Sequence, residues 1–100
     1  ARFDFKELCS KNIGAEDYIK IAEVCKFIII ENIPVFNSGN SNQQQRFITL
    51  IDILYEKNIP LMITSQLQLD LLSSSDDLKK VFKRTISRLY ELTSIKYNKL

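Results

Sequence analysis

The stretch FIIIENIPVFNSGNSNQQQRFITLIDILYEKNIPLMITSQ (Phe27–Gln66) decides the fold of this chain. It consists of an apolar run, a polar loop, a segment with apolar residues at helical spacing, and a second apolar run. Two short apolar runs joined by a helix indicate a βαβ unit, in which the strands are parallel and buried. Parallel strands need helices packed on the sheet. We therefore predict an α/β fold with a short, mostly parallel sheet and flanking helices in the order βαβαβα.

The remaining segments extend this unit on both sides. Ser41 or Asn42 is expected to cap the start of the middle helix. Asn58 is expected to end this helix in a left-handed conformation, since asparagine tolerates a positive φ. Residues 6–13 are expected to be irregular, and residues 93–100 to fray. The predicted strands are 2–5, 27–33 and 60–65, and the predicted helices are 15–26, 41–57 and 75–92.

Size and composition limit the classes of protein that the chain can represent. One hundred residues fit a single domain, residues 1–100. The net charge of +2 is too small to indicate nucleic acid as the main partner, and no apolar window is long enough to span a membrane. With no histidine, and with Cys9 and Cys25 far apart, we predict no metal site and two small apolar thiols in a reducing compartment.

The first residue is Ala1, and the only methionine is Met62. The chain is therefore either processed or a piece of a longer protein, and we expect the second.

Polar residues follow the two apolar runs of the βαβ unit. Glu31 and Thr64 are weak candidates for nucleotide contact, because ligands of parallel sheets bind at the carboxyl ends of strands. A carboxylate there can order Mg²⁺, and a polar side chain on the next strand can sense a γ-phosphate. The alternative is that both residues only mark where a strand leaves the core. The sequence has no GxxxxGK[ST] loop, so a phosphate cradle is missing.

Arg84 and Arg88 lie four residues apart on the last predicted helix. Two guanidinium groups at this spacing can hold a phosphate or a carboxylate. The alternative is a solvated basic face with local ion pairs, such as Arg84–Asp77 or Arg88–Glu91. Arg88 is the stronger candidate, because it borders the apolar stripe, where partial desolvation strengthens electrostatic interactions. The sequence offers no pattern for nucleophilic or general acid–base catalysis.

Several blocks taken together resemble one family. The segments ARFDFKELC, GAEDYIKIA, IPVF, RFITLIDILYEKNIPL and FKRTISRLYEL keep the order found in the C-terminal region of the ZapE-like, AFG-type ATPases. These are P-loop ATPases of the AAA+ group. The resemblance extends from Ala1 to about Tyr97, and its most characteristic positions include Arg46, Asp52, Arg84 and Arg88.

The resemblance implies a parent protein that uses ATP and Mg²⁺ and acts on protein partners, in cell division or protein quality control. It implies that the P-loop lies upstream, so the fragment alone is expected to be inactive and to hold no cofactor. Arg84 and Arg88 would be phosphate-sensing or inter-subunit arginines, and the parent could form oligomers. A bacterial parent would be cytoplasmic or peripheral to a membrane, and a eukaryotic one would lie in the mitochondrial matrix. The segment QLQLDLL departs from the family pattern, so no role is transferred to it.

Two other classes of function compete with an ATPase part. The first is a free-standing, non-enzymatic protein-interaction domain with a similar βαβ core. The second is a nucleic-acid module that would bind through the basic residues between Lys79 and Arg88, which the low net charge disfavours.

Overall fold

The computed structural model describes residues 2–9, 13–34, 36–65 and 78–97. Its elements confirm the predicted α/β class and the alternation of strands and helices. A short 3₁₀ turn, Ser38–Asn40, precedes the third helix. In chain order the elements are β1 (Arg2–Asp4), α1 (Phe5–Leu8), α2 (Ala15–Val24), β2 (Ile28–Ile33), α3 (Ser41–Glu56), β3 (Leu61–Ser65) and α4 (Lys79–Tyr97).

The strands form one parallel sheet in the order β1-β2-β3. Ile29 of β2 lies between Arg2 on one side and Met62 on the other, and Ile30 lies between Phe3 and Ile63. The register of β2 against β3 shifts between Ile30 and Ile33. Because side chains alternate along a strand, this register places whole rows of residues on one face or the other.

All the long helices lie in one layer against one face of the sheet. Helix α2 contacts α3, and α3 contacts α4. The face beneath them carries Ile28, Ile30 and Leu61, which have no exposed surface. In the described residues the molecule is therefore a two-layer structure, with one layer of strands and one of helices.

A cluster of four aromatic side chains joins the elements of the core. Phe36 lies between Phe5, Phe47 and Phe82, with ring centroids 5.4 to 5.7 Å apart. The predicted apolar face of α3 is confirmed, since Phe47, Leu50, Ile51 and Leu54 are fully buried. Burial of such side chains is the main stabilising contribution to a core of this size.

Three local features differ from the sequence prediction. The segment expected to be irregular after β1 contains the short helix α1, because Asp4 and Glu7 form a capping box at its start. Neither Ser41 nor Asn42 caps α3; Asn40 occupies the capping position, and its side chain makes no capping hydrogen bond to the helix. Helix α4 continues to Tyr97, beyond the predicted end at residue 92.

Asn58 has φ of 55°, which confirms the predicted left-handed end of α3. The predicted start of the last helix near residue 75 falls outside the described residues. Among the helices that the structure describes, none combines the length and apolarity needed to cross a membrane.

Candidate functional site

The two arginines singled out in the sequence meet an acidic side chain on a neighbouring helix. Helix packing places Asp52 of α3 opposite Arg84 and Arg88 of α4. Arg88 Nη1 donates a hydrogen bond to Asp52 Oδ1, and the Arg88 guanidinium lies 4.7 Å from the centroid of the Tyr55 ring. An ion pair on one side and an aromatic face on the other hold this guanidinium in place.

Arg84 is held more weakly than Arg88. Its Nη2 lies 3.4 Å from Asp52 Oδ2, and its side chain is 55% exposed, against 25% for Arg88. A long contact at an exposed position adds little stability, so the Arg84 guanidinium remains available to a stronger anion. Of the pair, Arg88 is therefore the fixed member and Arg84 the accessible one.

In the described residues, Arg84 and Arg88 share an acidic partner on another helix, Asp52. Asp77 lies outside the described residues. Glu91 accepts a hydrogen bond from the Tyr55 hydroxyl, which raises the pKa of Tyr55. Asp52 faces α4 rather than the outer side of α3, a placement that only helix–helix packing determines.

A second polar cluster connects the carboxyl ends of the three strands. Asn32 Nδ2 donates to Asp4 Oδ1 at 2.7 Å, and the backbone N–H of Asn32 donates to Thr64 Oγ1 at 2.9 Å. The structure thus brings Asn32 and Thr64 together at this edge of the sheet. The Thr64 hydroxyl is engaged in linking two strands, which gives it a structural role.

Asp4 and the conformation of Asn32 were missed in the sequence. Asn32 has φ of 63°, so it turns β2 in the left-handed region where the register of the strands shifts. The hydrogen bond from Asn32, followed by that from the backbone of Lys6, lowers the pKa of Asp4. The signal for Asp4 was the spacing Asp4-x-x-Glu7, which fits a capping box.

Glu31 does not join this cluster. It lies two residues before the end of β2, and Arg2 Nε is 3.8 Å from Glu31 Oε1. Glu31 and Thr64, the two weak candidates for nucleotide contact, thus have separate partners. Both are on the face of the sheet opposite the helices.

The predicted burial of the cysteines holds for Cys9, while Cys25 is partly exposed, and both thiols are free. Burial raises the pKa of Cys9 to about 12. The buried Tyr18 hydroxyl donates to the Leu8 carbonyl at 2.5 Å. Burial also raises the pKa of Tyr18, while the charge of Arg46, another position of the family pattern, acts to lower the pKa of both Cys9 and Tyr18. Because its thiol stays protonated, Cys9 packs as an apolar side chain and does not act as a nucleophile.

The residues that the structure describes do not fit ATP or its Mg²⁺ ion. Gly14 precedes α2 and Gly39 lies in the 3₁₀ turn, and neither belongs to a phosphate-binding loop. The polar groups of the strand ends bond to one another. In the part of the chain that the structure describes, no three acidic or cysteine side chains group together as metal ligands would. The described residues therefore offer arginines that can meet an anion, and the sequence contains no P-loop motif that would cradle the phosphates of a nucleotide.

Comparison with known proteins identifies the family of the chain. The family model described as AFG1-like ATPase matches residues 1–100. The chain belongs to this family.

Two curated relatives are similar over nearly the whole chain. The cell division protein ZapE of Escherichia coli (strain K12) is 30% identical over 95 residues, which cover 95% of this chain and 25% of that protein. Lactation elevated protein 1 homolog B of Danio rerio is 30% identical over 125 residues, covering 93% of this chain and 25% of that protein. The chain thus spans about a quarter of the length of these relatives. No solved structure matches it.

Proposed function

We propose that the chain is the C-terminal domain, residues 1–100, of a longer ATPase that couples ATP binding and hydrolysis to action on protein partners. The P-loop and the Mg²⁺ ligands would lie in other parts of that protein. The domain would contribute Arg84 and Arg88, which respond to the phosphates of ATP or to a neighbouring subunit. Cell division is the process that the name of the E. coli relative suggests.

One observation carries this proposal: a fixed arginine beside an accessible one on the same helix. Asp52 and Tyr55 hold Arg88, so the helix is anchored there. Arg84, one turn earlier, is half-exposed, and its contact with Asp52 is long. A phosphate carries more negative charge than a single carboxylate and accepts two hydrogen bonds from a guanidinium, so it would displace Asp52 from Arg84.

The test is ATP turnover by the full-length protein, measured as phosphate release. Arg84→Ala should lower turnover by about tenfold or more, since arginines that meet phosphate in such enzymes contribute at least this much. Lys83→Ala is the matched control, because it removes the same charge from the neighbouring exposed position. Equal turnover in the two variants would remove Arg84 from the mechanism.

The proposed action on protein partners is tested with a separate variant. Arg88→Ala should reduce ATP turnover or the binding of a protein partner, because it removes the ion pair with Asp52 that connects α4 to α3. If both quantities stay at the wild-type level, Arg88 has no part in coupling.

A further inference from the structure

The outward side of helix α4 carries a row of exposed side chains. Lys80, Lys83, Ser87 and Tyr90 are three or four residues apart, so they lie on one side of the helix. All four are exposed, and Tyr90 keeps 46% of its surface in contact with solvent. The other side of α4 packs against α3 and β3. We refer to these four residues as the α4 stripe.

Positive charge dominates one end of the α4 stripe. The segment 79–88 contains five basic residues and no acidic one. The two arginines in this segment share the carboxylate of Asp52. Among the residues that the structure describes, none forms an ion pair with Lys80 or Lys83. The lysines of the stripe therefore present positive charge to solvent that no described side chain balances.

This distribution of charge lowers the stability of the helix itself. Like charges four residues apart on a helix repel each other, and Lys80 and Arg84 form such a pair. Lys83 lies within one turn of both, so it adds to the repulsion. Proteins keep features that oppose their own stability mainly at functional sites. An anion bound at the α4 stripe would remove the repulsion.

An acidic segment of a protein fits the α4 stripe in both charge and length. Carboxylates would pair with Lys80 and Lys83, and an apolar side chain would pack on the exposed ring of Tyr90. Ser87 lies between them, and its small side chain lets a peptide backbone approach. The helix rises about 15 Å from Lys80 to Tyr90, which is the length of about five residues of extended chain.

Nucleic acid and lipid match the stripe less well. Two lysines neutralise few phosphates, and the net charge of the chain is only +2, so binding to nucleic acid would be weak. A helix that lies in a membrane surface inserts its apolar side. The apolar side of α4 is instead part of the core, with Phe82 and Leu89 buried. Protein is therefore the class of partner that these observations favour.

We propose that the α4 stripe binds an acidic segment of a protein partner of the longer ATPase. This inference rests on the proposed function, because it gives the chemistry of the partner named there. Lys83 would contact the partner, and the neighbouring Arg84 would contact phosphate. The two contacts would then be adjacent along the same helix.

The first test is the binding of fluorescent peptides to the full-length protein without nucleotide, read by anisotropy. One probe is a run of glutamates that ends in leucine, and the other has glutamine in place of each glutamate. The acidic probe should bind at least about fivefold more tightly, since exposed ion pairs each add a modest contribution. Equal affinities would overturn the proposal.

Variants then locate the binding. Lys80→Glu with Lys83→Glu should abolish the preference for the acidic probe. Lys20→Glu with Lys57→Glu makes the same change of net charge at exposed positions of α2 and just after α3, so it should keep the preference. Tyr90→Ser leaves all charges in place and should weaken the acidic probe by about threefold or more, which keeps the test informative if charge reversal disturbs folding. Loss of the preference in both double variants, or unchanged binding by Tyr90→Ser, would contradict the proposal.

Competing ligands test the class of partner. Oligothymidine, and vesicles of phosphatidylcholine with phosphatidylserine, should displace the acidic probe less effectively than unlabelled acidic peptide at equal total charge. Stronger displacement by either one would overturn the proposal. Peptide binding needs no hydrolysis, so a preserved preference in a protein without ATP turnover would contradict the proposed function alone. Normal turnover without any preference for the acidic probe would contradict this inference alone.

Discussion

At the scale of single residues, Asn32 determines how the ends of the strands are joined. Its positive φ turns β2, its backbone N–H reaches Thr64, and its side chain reaches Asp4. Asparagine is one of the few residues that occupy this conformation at low cost, and its amide supplies the donor that Asp4 needs. One side chain thus supports both a backbone conformation and a cross-strand hydrogen bond.

Replacing Asn32 separates these two contributions. Asn32→Ala and Asn32→Gly both remove the amide, so the pKa of Asp4 should rise toward its ordinary value in both variants, as followed by NMR titration of its carboxyl group. Only the alanine variant should also lose about 1 kcal/mol of unfolding free energy in urea, because alanine is strained at positive φ. Equal stability of the two variants would show that the turn is not strained.

The contribution of Asp4 to the free energy of unfolding should depend on pH. The pKa of Asp4 is lowered in the folded state, so its contribution to stability is present above the ordinary pKa of 3.8 and is lost as the pH falls through the folded-state pKa. In the Asn32 variants this loss should be smaller. An unchanged acid profile would mean that the amide of Asn32 does not set the pKa of Asp4.

At the scale of elements, Asp52 provides the ionic part of the contact between α3 and α4. One carboxylate faces two guanidinium groups, and the better-buried arginine also stacks on Tyr55. Removing the carboxylate leaves a partly buried cation without its counter-charge, which costs more than the loss of a surface ion pair.

A double-mutant cycle measures this contact. The coupling free energy of Asp52→Ala with Arg88→Ala should be about 1–2 kcal/mol in urea unfolding, and that of Asp52→Ala with Arg84→Ala below about 1 kcal/mol. Glu56→Ala, at an exposed position of the same helix, should change stability by less than about 0.5 kcal/mol. A stronger coupling to Arg84 than to Arg88 would reverse the roles assigned to the two arginines.

The helices and strands show which structural features can be predicted from sequence patterns. The β-branched run 28–30 and the apolar spacing of α3 gave the strand and the helix to within two residues. Periodicity fixes which face of a helix is buried, but not which neighbouring helix it meets. The pairing of Asp52 with Arg84 and Arg88 therefore could not be predicted, whereas α1 could have been found from its capping box.

At the scale of the whole molecule, the chain combines a buried core with exposed side chains that form no complete binding site among the described residues. The aromatic cluster joins α1, α3 and α4, so the helical layer is well packed. By contrast, the side chains of Arg84 and Met62 are exposed. The order of apolar runs predicts the α/β class. The sequence does not determine on which face of the sheet each helix packs, so only the structure shows that the described long helices share one face.

We propose that this domain belongs to a longer ATPase and does not itself hold the nucleotide. Isothermal titration of the 100-residue chain with ATP and Mg²⁺ tests it most directly, in a sample whose circular dichroism shows helix and cooperative unfolding. Without a phosphate-binding loop, one or two arginines give only weak attraction, so the titration should show a Kd above about 1 mM. Binding with a Kd of about 1 μM would contradict the account.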